Sequence, residues 1–477
     1  MIFDLLISNG MVHIGNDFQK ADVGVIGEKI AYIGHCPGAK ASRIIDADGK
    51  YVLPGMIDFH THIREPGVED KEDYTTGTMA AAHGGVTSVC VMPNNLTRGI
   101  ASPEDFQYAV DCGERHAVVD FAPIPSPLAF HSGSLPRLVE AGASCFKIME
   151  MKNSAPLEEN FRCGDSYELH QCLAAAAKTG KYVSIHPMNM DWYLGNVKRI
   201  KESGEPQTLM NVLHQLYGDE EMSSAAWELA YFFRKTGCKW WALHCWHDGY
   251  IDLIRMLKRQ GDMDILASVE ILPTSIRCFD TLYNRNNGST IALGHAAAPN
   301  WDHVWAAVND GTVDILGSDH SPHLAKHYNP EEAFASGQGV EGEDYYGSLL
   351  LDAVNAGKLT LEKLVEVTSI NGARALGWAE KCGNHIGTDA DFTICDMEKV
   401  WTVDEKFPIY SKPHLDPLWG QTLHGKVIST IVRGRVVMED EKSWQNLDTE
   451  GLSADNTQVQ PAYPYSYAFL AWLYFVY

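Results

Sequence analysis

The sequence predicts an α/β protein, a (β/α)8 TIM-like barrel with a small β-sandwich domain formed from both chain ends. Three observations predict it. Apolar, β-rich runs alternate with helical stretches from Ala117 onward, eight such runs can be placed, and both flanks carry short alternating strands without helices. The 477 residues, 45% of them hydrophobic, suffice for a barrel-sized core and a smaller second domain.

In chain order, the opening strands fall at 4–8, 22–26 and 29–33, with turn residues between them. The expected barrel strands follow at 51–62, 86–94, 118–124, 143–149, 182–186, 239–245, 264–271 and 313–319. Between them, 73–83, 167–179, 223–235 and 250–259 repeat apolar residues at helical spacing and should form the outer ring. Beyond the barrel, 391–395 and 426–438 alternate apolar and polar residues around Gly434, a match for the N-terminal strands. The expected division is therefore 1–52 and 381–445 for the small domain, 53–380 for the barrel and 446–477 for a C-terminal tail. The aromatic stretch 465–477 is shorter than the roughly 20 residues a membrane-spanning helix needs. It is expected to pack on the protein's own surface or on a subunit neighbour.

Composition narrows the function. The 62 acidic residues outnumber 38 basic ones, for a net charge of −24, which argues against nucleic acid as a partner. No secretory signal opens the chain, and the 11 cysteines are scattered singly without a C-x-x-C pair, so a reducing cytoplasm is expected, with neither disulfides nor a thiolate metal site.

The chemistry starts at Leu53-Pro-Gly-Met-Ile-Asp-Phe-His60-Thr-His62-Ile-Arg64-Glu-Pro-Gly67, where two histidines two apart on a strand project to one face. At the C-terminal end of a barrel strand, that face is the mouth where barrel enzymes work. Twenty histidines in 477 positions give about one His-x-His pair by chance, so this pair takes its meaning from its position. His186 in Val-Ser-Ile-His-Pro and His244 in Trp-Ala-Leu-His-Cys end later strands at the same level. One strand-end histidine is more often structural; four at one mouth point to metal ligation. Asp319, in Ile-Leu-Gly-Ser-Asp-His-Ser-Pro-His323, closes the eighth strand, and a carboxylate beside four imidazoles can hold a metal and move protons. Lys147, in Ser-Cys-Phe-Lys-Ile-Met, points inward among apolar neighbours, where an unpaired ammonium costs several kcal/mol. Its neutral amine can take up CO2 as a carbamate, an anionic bridge between two cations. Imidazole and carboxylate ligands suit Zn2+ best, with Mn2+, Co2+ or Fe2+ also fitting.

With these residues in place, the sequence resembles the amidohydrolase superfamily and, within it, the cyclic amidohydrolases: dihydroorotases, allantoinases, hydantoinases and dihydropyrimidinases. The resemblance runs from Asp4-Leu-Leu-Ile-Ser-Asn-Gly10 through Pro54-Gly-Met-Ile-Asp-Phe-His-Thr-His62, Thr76-Gly-Thr-Met-Ala-Ala-Ala-His-Gly-Gly-Val-Thr87, Phe146-Lys147 and Gly317-Ser-Asp-His-Ser-Pro-His323 to Gly425-Lys-Val-Ile-Ser-Thr-Ile-Val-Arg-Gly-Arg435. It implies that His60, His62 and Asp319 hold one metal and His186 and His244 another, with carboxylated Lys147 bridging them. It implies further that a hydroxide between the cations opens the C–N bond of a cyclic amide or ureide, a dihydroorotate- or hydantoin-like ring, with Asp319 as proton shuttle. Arg64, Asn94 and His323 match substrate-binding positions, and an arginine fork suits a carboxylate. The plainer role for Arg64 is an ion pair with Glu65 or Asp70 in its own loop. A homodimer or homotetramer is the expected assembly.

The sequence departs from these relatives at three places. No tyrosine falls in 149–154, where hydantoinases and dihydropyrimidinases carry one; 291–300 lacks a Pro-Pro-Leu-Arg-like loop; and Ser268-Val-Glu-Ile-Leu-Pro-Thr274 stands in place of a histidine-rich turn. Allantoinase-like ureide hydrolysis is the second enzymatic reading. A non-catalytic, dihydropyrimidinase-like scaffold is the third, and the six competent residues at the ligand positions speak against it.

Overall fold

Gly55 breaks the apolar run 51–62 into two strands that serve different sheets. A Cβ at this position would stand 2.1 Å from the Thr87 hydroxyl oxygen, so the chain can pass here only as glycine. The computed structural model of the chain describes residues 2–93, 100–148, 150–151, 162–163, 165–271, 273–277, 281–293, 299–337, 339–440 and 442–443. Asn94, residues 152–154 and 294–298, and the tail 446–477 lie outside them.

Before the break come β1 (Ile2–Ile14), β2 (Asp17–Ile26), β3 (Lys29–Gly34), β4 (Lys40–Asp46) and β5 (Tyr51–Pro54). After it come eight parallel strands: β6 (Met56–Thr61), β7 (Val86–Val91), β8 (Asp120–Pro123), β9 (Cys145–Ile148), β10 (Tyr182–Ile185), β11 (Lys239–Ala242), β12 (Ile265–Glu270) and β13 (Ile315–Gly317). The last group is β14 (Phe392–Thr402), β15 (Thr422–Val432), β16 (Arg435–Glu439) and β17 (Lys442–Ser443). β14 pairs antiparallel with β5, with Phe392 opposite Pro54, and β5 pairs parallel with β1, so both chain ends share one nine-stranded sheet.

The parallel strands form a three-stranded sheet, β6-β7-β8, and a five-stranded one, β9 to β13 in order. Backbone hydrogen bonds cross both gaps between them. The Lys147 amide donates to the Pro125 carbonyl (3.0 Å), the Asp319 amide to the His60 carbonyl (2.9 Å) and the His62 amide to the His320 carbonyl (2.8 Å). One buried cluster takes a side chain from each of the eight: Ile57, Cys90, Ala122, Cys145, Tyr182, Trp241, Leu266 and Ile315.

The principal helices are α1 (Tyr74–His83), α2 (Pro103–His116), α3 (Ser166–Ala177), α4 (Met190–Glu202), α5 (Asp219–Thr236), α6 (Asp248–Gln260), α7 (Trp301–Asn309) and α8 (Tyr346–Asn355). The four stretches read as helical in the sequence are α1, α3, α5 and α6. Asp73 and Asp165 cap α1 and α3 by accepting the Thr76 and Glu168 amides, while Gly237 and Gly261, at φ 67° and 71°, end α5 and α6 in the left-handed conformation. Among the described residues no helix is long and apolar enough to cross a membrane.

Where β8 starts, Asp120, Asp389 and Asp391 surround the buried Lys381 ammonium, and the Arg433 guanidinium also donates to Asp120 (3.0 Å). These carboxylates compensate two buried cations across the junction of the two sheet systems, the condition under which buried charge is tolerated. Lys381 thus occupies a carboxylate triad that could otherwise hold a metal ion.

Candidate metal centre

β6 runs into His60-Thr-His62 and β13 into Gly317-Ser-Asp319, and both strand ends hang on one carboxylate. Asp58 Oδ1 accepts the backbone N–H groups of His60 and Ser318, each at 2.9 Å. Gly317 permits this approach, since a Cβ there would lie 2.9 Å from the His60 Cβ. His60 Nε2 consequently lies 3.3 Å from His62 Nε2 and 3.4 Å from Asp319 Oδ1, and His62 Nε2 lies 3.1 Å from the same oxygen. Two ring nitrogens and a carboxylate oxygen this close together are a donor set for a divalent cation. Asp319 and His244 adopt φ of 51° and 57°, a left-handed backbone that aspartate and histidine accept more readily than most side chains.

Glu270 adds a residue that the sequence reading does not contain. Its Oε2 accepts the His244 backbone N–H (3.0 Å) and lies 2.7 Å from His244 Nδ1, while Oε1 lies 3.4 Å from His60 Nδ1. The Ser268 hydroxyl donates to Oε1 (2.8 Å) and the Trp246 indole to the Glu270 carbonyl (3.0 Å), fixing the side chain and its strand end. The carboxylate thus holds the Nδ1 of His244 by a hydrogen bond and stands against the Nδ1 side of His60, which leaves Nε2 of each ring available to a cation. The His186 ring centre is 4.7 Å from that of His244, which is 5.1 Å from that of His60.

Lys147 is fully buried on β9. Burial above all, with the Lys147 charge adding to it, pushes His186 well below the usual histidine range and His60 down to about 4. Both rings are therefore neutral at pH 7, the form that binds metals. Burial alone would raise the Asp319 carboxyl; His60, His62 and His244 outweigh it and hold Asp319 below the usual carboxylate range. Glu270 is held low in the same way by His244 and His60.

Arg64 reaches beyond its own loop. Glu65 accepts the Tyr74 amide (3.0 Å) and lies 2.8 Å from His116 Nδ1, and Arg64 Nη2 instead donates to Ser321 Oγ (2.6 Å) in the loop that follows Asp319. His323, in the same loop, has Nδ1 3.2 Å from Lys71 Nζ, a neighbour not read from the sequence. Burial first, then the charges of Arg64 and Lys71, push His323 well below its ordinary value. Asn94 lies outside the described residues.

Beneath the centre, Asp58 and Glu343 are two fully buried carboxyl groups close enough to act on each other electrostatically. Burial pushes Asp58 up to about 6 and Glu343 well above the usual range. Between pH 4.5 and the raised folded value, the folded state keeps a proton that the unfolded chain releases, so this pair costs stability as pH rises. Glu343→Gln keeps the size of the side chain and removes the titrating carboxyl. Its melting temperature is expected to gain on the wild type at pH 8, with the gain shrinking toward pH 5; thermal denaturation at both pH values checks this, and an equal loss at both would contradict a carboxyl raised by burial at this position.

Residues 51–437 match the amidohydrolase family. The chain is 28% identical over 460 residues to an allantoinase of Bacillus licheniformis, covering 94% of this chain and 98% of that one. It is 30% identical over 450 residues to a dihydroorotase of Pelotomaculum thermopropionicum, covering 91% and 99%. The solved L-hydantoinase (dihydropyrimidinase) of Arthrobacter aurescens superposes with a TM-score of 0.82 at 25% identity, over 92% of this chain and 97% of that one. A histidine-carboxylate cluster at the ends of parallel strands, within a chain that matches these enzymes along nearly its whole length, makes this protein a member of the amidohydrolase family and, within it, of the cyclic amidohydrolases.

Proposed function

We propose that the chain is a metal-dependent hydrolase that opens the C–N bond of a cyclic amide or ureide, a dihydroorotate- or hydantoin-like ring, at a centre for two divalent cations. One observation carries this: His60, His62 and Asp319 converge to within 3.4 Å at the ends of the first and last parallel strands, and Glu270 joins His244 to them. The donor chemistry fits the cations. His60, His62 and Asp319 would hold one, His186 and His244 the other, and Lys147 as a carbamate would serve both, with Zn2+ the best match and Mn2+, Co2+ or Fe2+ possible. Bound cations would supply Lewis acidity and lower the pKa of water enough for amide hydrolysis at neutral pH.

The chain's own residues supply the proton path and the grip on the ring. Asp319, ionised among imidazoles, accepts the proton of the attacking water and delivers it to the ring nitrogen as the C–N bond breaks. Arg64, braced by Ser321, and neutral His323 bind the ring substituent together with Asn94. Backbone bonds across both gaps, and a buried cluster drawing on all eight strands, support a closed (β/α)8 barrel over 53–380, with 1–52 and 381–445 as the small domain. The nine cysteines whose side chains the structure describes are free, which suits a reducing cytoplasm. The similarity to an allantoinase over 94% of the chain favours a ureide as the second substrate reading.

The test is turnover of dihydroorotate, allantoin, hydantoin, dihydrouracil and succinimide by the metal-loaded protein, with Arg64→Ala alongside. At least one ring should be opened. If Arg64 grips a carboxylate, its loss should lower kcat/KM for dihydroorotate about 10- to 100-fold, the worth of a charge-assisted hydrogen bond, and spare the uncharged rings. Failure to open any cyclic amide or ureide would overturn the proposal.

A further inference from the structure

His323 is held by its neighbours on three sides. Gly337 lies so close to the ring that a Cβ there would stand 3.1 Å from His323 Cγ and Nδ1. The Tyr328 and His327 rings meet it edge-on, at centre distances of 6.0 and 6.1 Å and interplanar angles of 72° and 85°. The loop that carries these rings is itself tied down. The Gly337 amide donates to the His327 carbonyl (2.8 Å), the Tyr328 hydroxyl to the Gly339 carbonyl (2.5 Å) and the Ser321 amide to the Val340 carbonyl (2.9 Å). On the third side stands the Lys71 ammonium, 3.2 Å from Nδ1. It comes from a different loop, where the Lys71 amide closes a turn on the Val68 carbonyl (2.9 Å) and the next residue, Glu72, is fully buried.

This contact selects one form of the ring. An ammonium has hydrogens to donate and no lone pair, so the Nδ1 that faces it is the acceptor. An uncharged imidazole that accepts at Nδ1 carries its hydrogen on Nε2. A charge on the ring would stand against Lys71, and Arg64 adds its own charge nearby. We propose that Lys71 is a positioning residue, which fixes His323 as a neutral Nε2–H donor for an acceptor oxygen, carbonyl or carboxylate, of the bound ring. This role rests on the cyclic-amide reading above and narrows the substrate. The group that meets His323 has to accept a hydrogen bond, since a ring N–H in that place would face a second donor. Without Lys71 either nitrogen could hold the hydrogen, and a fraction of the molecules would present a lone pair where the substrate needs a donor.

Nuclear magnetic resonance of the full-length, Zn2+-loaded protein with isotopically labelled histidine reads the tautomer directly. Two-bond nitrogen–proton correlations separate Nδ1 from Nε2, and His323→Gln identifies the His323 signals by their loss. The wild type should show Nδ1 without a hydrogen and Nε2 with one. Lys71→Met, similar in length but without the donor, should move both nitrogens toward the average of the two tautomers, and Lys71→Arg should restore the wild-type pattern. In turnover of whichever ring is opened, Lys71→Met should raise KM about 10-fold, roughly one hydrogen bond's worth, and change kcat by less than about 3-fold. Lys71→Arg should recover most of the loss. A hydrogen on Nδ1 in the wild type, or a pattern that Lys71→Met leaves unchanged, overturns the proposal, and so does a fall in kcat at unchanged KM. The spectra need no turnover, so a protein that opens no cyclic amide or ureide would sink the reaction proposed above while the tautomer still decides whether Lys71 fixes the ring.

Discussion

Asp319→Asn is expected to lower kcat by about 10³-fold or more while leaving the bound metal close to the wild-type content. The substitution keeps the size of the side chain and one oxygen able to face a cation, and asparagine is among the few residues that accept the left-handed φ of 51° found here. What disappears is the capacity to take up a proton. Loss of a positioned general acid-base group typically costs 10²- to 10⁴-fold, and here one group serves both the attacking water and the departing nitrogen, so the upper part of that range applies. Steady-state kinetics with elemental analysis of the same preparation checks it. Unchanged turnover would remove Asp319 from the proton path, and loss of metal in parallel with turnover would reduce it to a ligand.

What could be read from the sequence, and what could not, divides along the range of the interactions. His60 and His62 are legible because two residues two apart on a strand share a face whatever lies around them, and Lys147 because a charge among alternating apolar residues has nowhere else to point. Glu270 satisfies the same rule between Val269 and Ile271, so its burial is legible too. Its role is not, because the partners His60 and His244 come from strands 210 and 26 positions away in sequence. Arg64 illustrates the same divide. Nearby Glu65 and Asp70 are the partners that sequence proximity suggests, whereas Ser321, to which it donates, is 257 positions away. Likewise, the apolar run 51–62 gives no sign of its break at Gly55, which arises only when Thr87 packs against it. Asp58 and Glu343 are 285 positions apart, and no local pattern announces that one buried carboxyl acts on the other.

Glu270→Ala is expected to weaken cation binding by about 10- to 100-fold at both positions of the proposed centre, where most changes behind a metal ligand affect one. The reason is that a single carboxylate contacts Nδ1 of His60 and Nδ1 of His244, which would belong to different cations. Removing it takes the acceptor from the His244 backbone N–H and ring Nδ1, a penalty of about 1–3 kcal/mol each, and removes the carboxylate that faces His60 Nδ1. Glu270→Gln should fall between the two. Its amide offers one accepting oxygen, which can serve one imidazole N–H, and one donating nitrogen, which repels the other, so a single position should weaken. Chelator-competition titration with Zn2+ separates the cases: His186→Ala should affect only the second position, Glu270→Ala both, and Glu270→Gln one. Should Glu270→Ala weaken only one position, the carboxylate orients one histidine, and the two halves of the centre are set independently.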